Sequence, residues 1–336
     1  MLPIKPSSRP FTVAYVDARH KQELLADNQT LALIGFDESA RGPAGDACEF
    51  TLALPQLEET RQLEYWKAAS PVTHEQIDGI HVARTPDVLF AYLEQPADDM
   101  RHDARAAYAR LYRLLEKTGY PHLLRVWNYF PRLLETDGAE QRYRAFCVGR
   151  HETLAPLAIP PQSLPAASAL GSFPGPFQFY FLAAKSPGIQ IENPRQVSAF
   201  NYPPRYSPRS PAFSRALFKH WPESEHLYIS GTASIVGHES RHREPLPQLE
   251  ETLSNIEALI STAHHRHALP ISHFAQLDLI KIYLSHPQWL PQVKSALQSR
   301  FPGSKPARLF LQGTVCREDL LLEIEGMYLG RAKDSG

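Results

Sequence analysis

Four stretches of this chain hold residue types that could do chemistry. The first is SGTASIVGHES, Ser230 to Ser240, which sets small hydroxyl residues, two glycines, a histidine and a glutamate side by side. Ser230, Thr232 and Ser234 alternate, and alternate residues of a strand share a face, so three hydroxyls line either a cleft or a polar solvent face. His238 and Glu239 fall in the turn that follows, with no catalytic partner nearby. The second stretch, NPRQVSAFNYPPRYSPRSPAFSR, sets Arg195, Arg205, Arg209 and Arg215 among Tyr202 and Tyr206. Arginine grips a carboxylate through two parallel charged hydrogen bonds, and proline stiffens the backbone that presents it. The segment reads as a carboxylate clamp or as a solvated basic loop. In the third, RVWNYFPRLLETDGAEQRYRAF, Tyr143 and Arg144 at a helix start either face the same anion or belong to a surface helix. The fourth, VCREDLLLEIEG, places Glu323 and Glu325 on one face of a leucine-rich strand. Set among apolar residues, such a carboxyl holds its proton and can donate it; on a solvated face it does neither.

Several chemistries have no motif. There is no glycine-rich phosphate loop, no H-E-x-x-H and no G-x-S-x-G. His264, His265 and His267 end a helix, where adjacent histidines splay apart and suit the helix dipole better than a metal. Net charge is −1, which offers no basic field to nucleic acid or an anionic membrane. The apolar runs are shorter than the ~20 residues a membrane span needs. Cys48, Cys147 and Cys316 are too few and scattered for a disulfide framework or a zinc pattern. A cytoplasmic protein with reduced thiols is expected.

The elements that must position these residues are clearest in the second half. Phe177–Lys185, Arg195–Tyr202 and Glu225–Val236 read as strands, the first two paired, and Ser214–His220 as a short helix or an extended piece. Pro245–His267 has the helical period, Leu277–Ser285 is a strand, Pro287–Phe301 a helix, and Ala307–Val315 and Asp319–Leu329 are closing strands. The first half has strands at FTVAYV, TLALIGF and CEFTLAL, a helix over Pro96–Gly119, a strand over His122–Phe130 and a helix over Gly138–Leu154. The fold class is α+β: a mixed sheet with helices on one face, in two related halves. Proline-rich Pro156–Pro165 suggests an N-terminal domain over 1–155 and a C-terminal domain over 170–330.

Together RVWNYFP, EQRYRAFCVGR, ENPRQVSAFNYPPRYSPRSPAFSRA, ISGTASIVGHES and CREDLLLEIEG resemble the chorismatase family, over about Arg125 to Gly326. The likeness is greatest to the branch that makes 3- and 4-hydroxybenzoate from chorismate, which feeds aryl-polyene pigment and ubiquinone pathways. The resemblance implies a YjgF-like fold, a catalytic glutamate at Glu323 and a cysteine seven residues earlier, Cys316. It also implies a product-sensitive position at Ala233, where alanine leaves the product open. A dianionic substrate matches the clamp, so Tyr143, Arg144, Tyr202, Arg205, Tyr206 and Arg209 are expected to bind chorismate. Gly231, Thr232 and Ala233 are expected to let its ring approach the backbone. Glu323 would protonate the enolpyruvyl methylene and Cys316 would steer the product, with no metal or organic cofactor. Alternatives are a chorismate hydrolase that makes a dihydrodiol and a non-catalytic YjgF-like binding protein. A chain that duplicates its fold is expected to work as a monomer.

Overall fold

The computed structural model describes residues 9–330 apart from 44, 46, 47 and 304. The chain opens with β1 (Phe11–Asp17), the short helix α1 (Lys21–Ala26), β2 (Thr30–Asp37), β3 (Glu49–Ala53) and β4 (Gln62–Ala68). These strands make a four-stranded sheet in the order β1-β4-β2-β3. A first long run follows: β5 (Thr73–Ile77), β6 (Ile80–Arg84), β7 (Val88–Gln95), α2 (Met100–Thr118), β8 (His122–Pro131), the small ribbon β9 (Thr136–Asp137) and β10 (Glu140–Gln141), α3 (Arg142–Leu154), β11 (Ala166–Ser172) and β12 (Phe177–Ala184). The second run is β13 (Ile189–Ile191), β14 (Ala216–His220), β15 (Glu225–Thr232), the ribbon β16 (Ile235–Val236) and β17 (Glu239–Ser240), α4 (Pro245–His267), β18 (Leu279–Leu284), α5 (Leu290–Arg300), β19 (Ala307–Gln312) and β20 (Leu322–Tyr328).

Each long run builds a six-stranded sheet, ordered β5-β6-β7-β12-β8-β11 and β13-β14-β15-β20-β18-β19. Leaving the two-residue ribbons aside and counting strands within each run, both sheets read 1-2-3-6-4-5. In both, the fourth and fifth strands are parallel and joined by a helix, while the sixth inserts antiparallel between the third and fourth. The expected α+β architecture in two related halves is what the chain forms. The boundary between them differs from the expectation. β11 and β12 complete the first sheet rather than opening the second, so sheet ownership changes between Ala184 and Ile189. β12 pairs with β7 and β8, and the segment proposed as its partner, 195–202, is a loop with one 3-10 turn at Ala199–Asn201.

Strand alternation sets the layers. Phe177, Phe179 and Phe181 of β12 pack under α2 and α3, whereas Tyr180 and Leu182 point to the opposite face. On β20, Leu322 and Ile324 pack under α4 and α5, which turns Glu323 and Glu325 inward. The inward faces of all three sheets share one aromatic core, including Phe11, Trp66, Tyr92, Trp127, Tyr180 and Tyr283. Through it runs an ionic chain. Glu64 of β4 meets Lys281 of β18 at 2.7 Å, Lys281 meets Glu325 at 3.3 Å, and Glu325 meets Arg125 of β8 at 2.7 Å. The indoles of Trp66 and Trp127 donate to Glu64 and Glu325, each at 2.8 Å. Buried pairs add little over apolar packing, but removing one partner strands a charge at a cost of about 3–5 kcal/mol. The chain ties β4, β8, β18 and β20 together behind the strands that flank the site.

Candidate active site

The halves join where β11 lies against β15. Ala167 N–H donates to Ser230 Oγ at 2.8 Å, and Gly231 N–H donates to Ser168 Oγ at 3.0 Å. A cavity of about 490 Å³ opens over this seam. Its floor is β11, Gly231, Ala233 and Glu323; its walls are α3, the 316–319 segment and the proline-rich loop before β14. That loop is tied down by Arg195, which reaches Glu251 at 2.5 Å and Asn255 Oδ1 at 2.8 Å. Its inward residues are Tyr202, Tyr206, Ser207, Pro211 and Phe213. Arg317 lies 4.0 Å over the Tyr206 ring, a cation–π contact that fixes both side chains.

Of the residues expected in the site, Glu323, Cys316, Tyr143, Arg144, Tyr202, Tyr206, Gly231 and Ala233 line this cavity. Three do not. Thr232 is buried the other way, its hydroxyl donating to Ser230 O at 2.8 Å. The cause is a β-bulge: between Ile229 and Thr232 the strand carries one more residue than its partner, β20. The bulge transfers the inward face from even to odd positions, so Gly231 and Ala233 meet the cavity in place of the hydroxyls. Arg205 and Arg209 sit on the outward side of the loop. Arg205 reaches Tyr206 Oη, His238 and Glu239 at the surface. Arg209 lines a separate groove with His151 and Phe200.

The sequence reading passed over two buried arginines of the cavity when choosing among its clamp residues. Arg215 donates to Val197 O at 2.9 Å and Tyr202 Oη at 2.7 Å. Arg150 faces the rings of Phe146 and Tyr108 at 5.0 and 5.7 Å. Both are at least 95% buried, the Nε of each lacks a hydrogen-bond partner, and neither forms an ion pair among the described residues. Helical spacing carries a signal for Arg150, seven residues after Tyr143 and so on the same face of α3.

Electrostatics separates the two glutamates. Burial first, then the charge of Glu325, pushes the Glu323 carboxyl up to about 8, against the pull of Arg125 and Arg215. Burial would also raise Glu325, but Lys281 and Arg125, with hydrogen bonds from Ser168 and Trp127, outweigh it and hold Glu325 below the ordinary range. One carboxyl of the strand carries a proton near neutrality and the other is an anion, the arrangement that lets a pair of acids divide roles. Cys316 is pushed up to about 12 by burial and then by Glu323, so it presents a neutral thiol. Among the described residues no group of three or more metal-ligating side chains is placed to hold an ion.

Comparison with known proteins agrees with this geometry. Residues 64–183 match the family described as chorismatase FkbO/Hyg5-like, N-terminal. A chorismatase of Streptomyces rapamycinicus is 36% identical over 310 residues, covering 88% of this chain and 92% of the relative. A 3-hydroxybenzoate synthase of Streptomyces hygroscopicus is 36% identical over 277 residues, covering 79% of this chain and 81% of the relative. A chorismatase crystal structure superposes with a TM-score of 0.88 at 31% identity, over 95% of this chain and 98% of that one. The chain belongs to the chorismatase family of enzymes.

Proposed function

We propose that this protein cleaves chorismate to pyruvate and 3-hydroxybenzoate, with Glu323 as the acid that protonates the enolpyruvyl methylene carbon. The observation that carries this reading is a carboxyl buried enough to be pushed up to about 8, facing a cavity lined by the buried Arg150 and Arg215, neither of which has a carboxylate partner among the described residues. Chorismate brings two carboxylates, an enol ether and a ring hydroxyl. The carboxylate beside the methylene must lie next to the acid, so it falls to Arg215, which acts on Glu323 directly. The ring carboxylate then falls to Arg150 beyond Tyr143, where a guanidinium bonded to Tyr108 but without a carboxylate partner, its Nε unbonded, gains an acceptor. Proton transfer from Glu323 turns the methylene into a methyl group and leaves an oxocarbenium-like carbon. The newly ionised Glu323 stabilises that charge until the bond between the ether oxygen and the ring breaks, its electrons complete the ketone of pyruvate, and pyruvate leaves. The neighbouring ring hydroxyl oxygen then closes on the vacated ring carbon and returns its proton to Glu323; the resulting epoxide opens at the carbon that first carried the hydroxyl and, by loss of one ring proton and gain of one on oxygen, becomes 3-hydroxybenzoate.

Pyruvate and a hydroxybenzoate together hold the atoms of chorismate, so this outcome takes up no water. A dihydrodiol requires one. Cys316, a neutral thiol beside Glu323, occupies space a water would need, which favours the aromatic product; the relative named 3-hydroxybenzoate synthase points the same way. Adding chorismate to the purified protein, following pyruvate with a coupled assay and separating 3-hydroxybenzoate, 4-hydroxybenzoate and dihydrodiol by chromatography tests the whole reading. Absence of pyruvate would remove it. Cys316→Ala is expected to raise the dihydrodiol fraction severalfold while total pyruvate changes by less than about tenfold; an unchanged product ratio would end the steering role.

Arg150 gives a second test. Methionine keeps the length of the chain and removes a buried charge that no carboxylate balances among the described residues, so Arg150→Met should melt at or above the wild-type temperature. Loss of a charged hydrogen-bonding partner of the substrate should raise KM about 10- to 100-fold. A thermal melt and steady-state kinetics on one preparation read both, and an unchanged KM would take the ring carboxylate away from Arg150.

A further inference from the structure

Behind the cavity floor, Glu323 is connected to a second carboxylate that the substrate does not reach. Glu325 lies two residues along β20 on the same inward face and is only 3% exposed. Its Oε2 accepts from Ser168 Oγ at 2.6 Å and from Arg125 at 2.7 Å. Its Oε1 accepts from Trp127 at 2.8 Å and lies 3.3 Å from Lys281. Ser168 Oγ also receives the Gly231 N–H at 3.0 Å, so one hydroxyl joins Glu325 to the residue against which the Glu323 carboxyl rests. The position a Cβ of Gly231 would occupy is 1.8 Å from Glu323 Oε1 and 3.1 Å from Ser168 Oγ. Ser168 therefore links Glu325 to the backbone against which the Glu323 carboxyl rests.

We propose that Glu325 is a positioning residue for the reaction: a fixed anion, held by side chains from β8, β11 and β18, that faces Glu323 along β20 and whose hydrogen bond through Ser168 holds the Gly231 backbone under the acid. The proposal rests on Glu323 being the proton donor. Glu323 is faced by Glu325 on its own strand, Arg125 from β8, Arg215 from the start of β14, Tyr143 from α3 and Cys316. Two cations there favour its ionised form, and Glu325 is the nearby anion that opposes them. Glu325 in turn is faced by Arg125 and Trp127 on β8, Lys281 on β18 and Ser168 on β11, with Tyr15, Tyr129, Tyr180 and Tyr283 around it. Glu64, paired to Lys281 from the N-terminal sheet, completes the chain. Thus the small first sheet, remote from the substrate, helps hold the anion in place.

Opposite substitutions should move the pH profile in opposite directions. In Glu325→Gln the anion is gone and Arg125 and Lys281 are left unbalanced, so the alkaline limb of kcat/KM should move down by about one pH unit or more. Arg125→Gln should move it up. Glu325→Asp keeps the charge and should keep the limb within about 0.3 units of wild type. A structural role alone would lower the amount of active protein without moving the limb. Should Glu325→Gln fail to fold, Arg125→Gln still decides, since a limb that stays in place or moves down overturns the proposal. A folded Glu325→Gln protein with the wild-type limb overturns it as well. Glu323→Gln assayed alongside separates the two ideas: if it retains activity, the acid has been misassigned, whatever Glu325 does.

Discussion

Glu323→Gln is expected to lower kcat for pyruvate release by at least about 10³-fold while chorismate still binds. General acids supply about 10²–10⁴ in rate, and protonation of an enol-ether carbon depends wholly on the acid, so the upper part of that range applies. Glutamine keeps the shape and offers an amide in place of a transferable proton. The same variant should be more stable than wild type, with a sign that pH reveals. In the unfolded chain this carboxyl titrates near 4.5, and in the folded protein at about 8. Between those values the folded state binds a proton that the unfolded state has lost, so the contribution of Glu323 to stability falls as pH rises through that window. Glutamine has no such dependence. The difference in unfolding free energy between variant and wild type should therefore widen from pH 5 to pH 8, reaching on the order of 3–5 kcal/mol, and the gap between their melting temperatures should widen with it. Wild-type kcat/KM should be level below about pH 8 and fall roughly tenfold per unit above it. Pyruvate release at the wild-type rate by Glu323→Gln, or a melting difference that does not change with pH, would remove the buried acid from the mechanism.

How much of this was legible beforehand depends on the range over which each interaction acts. The facing of Glu323 and Glu325 follows from period-two alternation among leucines, and the sequence states it outright. That both are buried does not follow, because burial comes from elements distant in the chain: Glu325 is enclosed by Arg125 on β8 and Lys281 on β18, which are 200 and 44 residues away from it. The helices α2, α4 and α5 announce themselves by apolar spacing and by caps such as Asp99, whose side chain accepts from His102 N, and Gly119 at φ 77°. β12 is legible as a strand but its neighbours are not, since Phe177, Phe179 and Phe181 show a helix-facing side without saying which sheet the strand completes. β7 hides for another reason: VLFAYLEQ is buried on both faces along most of its length, so it lacks the alternation of a half-exposed strand. In the proline-rich loop the residue types point to carboxylate binding, but turns and bends, with Tyr206 N–H donating to Pro203 O, decide which side chains face in, and no fixed period announces them. Tyr206 and Ser207 turn in while Arg205 and Arg209 turn out, and Arg215, already noted among the loop's arginines, is the one the cavity uses.

Gly231→Ala is expected to cost at least about 10²-fold in kcat through a single added carbon. In SGTASIVGHES the glycine looked like room for a flat ring; the space its missing side chain leaves is filled from below by Glu323. An added Cβ would lie 1.8 Å from Oε1 and 2.7 Å from Cδ of that carboxyl, far inside contact distance. Its backbone does not lie in the left-handed region, so alanine brings no conformational penalty, and the cost is confined to the collision. Either the carboxyl rotates out of line with the methylene carbon, or β15 moves away from β11 and gives up the Gly231 to Ser168 hydrogen bond. Overpacking of this kind costs about 1–3 kcal/mol, which a chain of this size should survive. A melt and a circular-dichroism spectrum would establish that the variant is folded. The decisive measurement is the double variant: if Gly231 acts only by giving Glu323 its place, Gly231→Ala added to Glu323→Gln should lower the residual rate little further, since the carboxyl it displaces no longer donates. Thr232→Val, next in sequence but turned away by the bulge, should stay within about threefold of wild-type kcat, because it removes one hydroxyl bonded to Ser230 O and touches nothing in the cavity. Full activity in Gly231→Ala would mean that the rate does not depend on where the Glu323 carboxyl rests, and an additive double variant would mean that Gly231 meets the substrate itself.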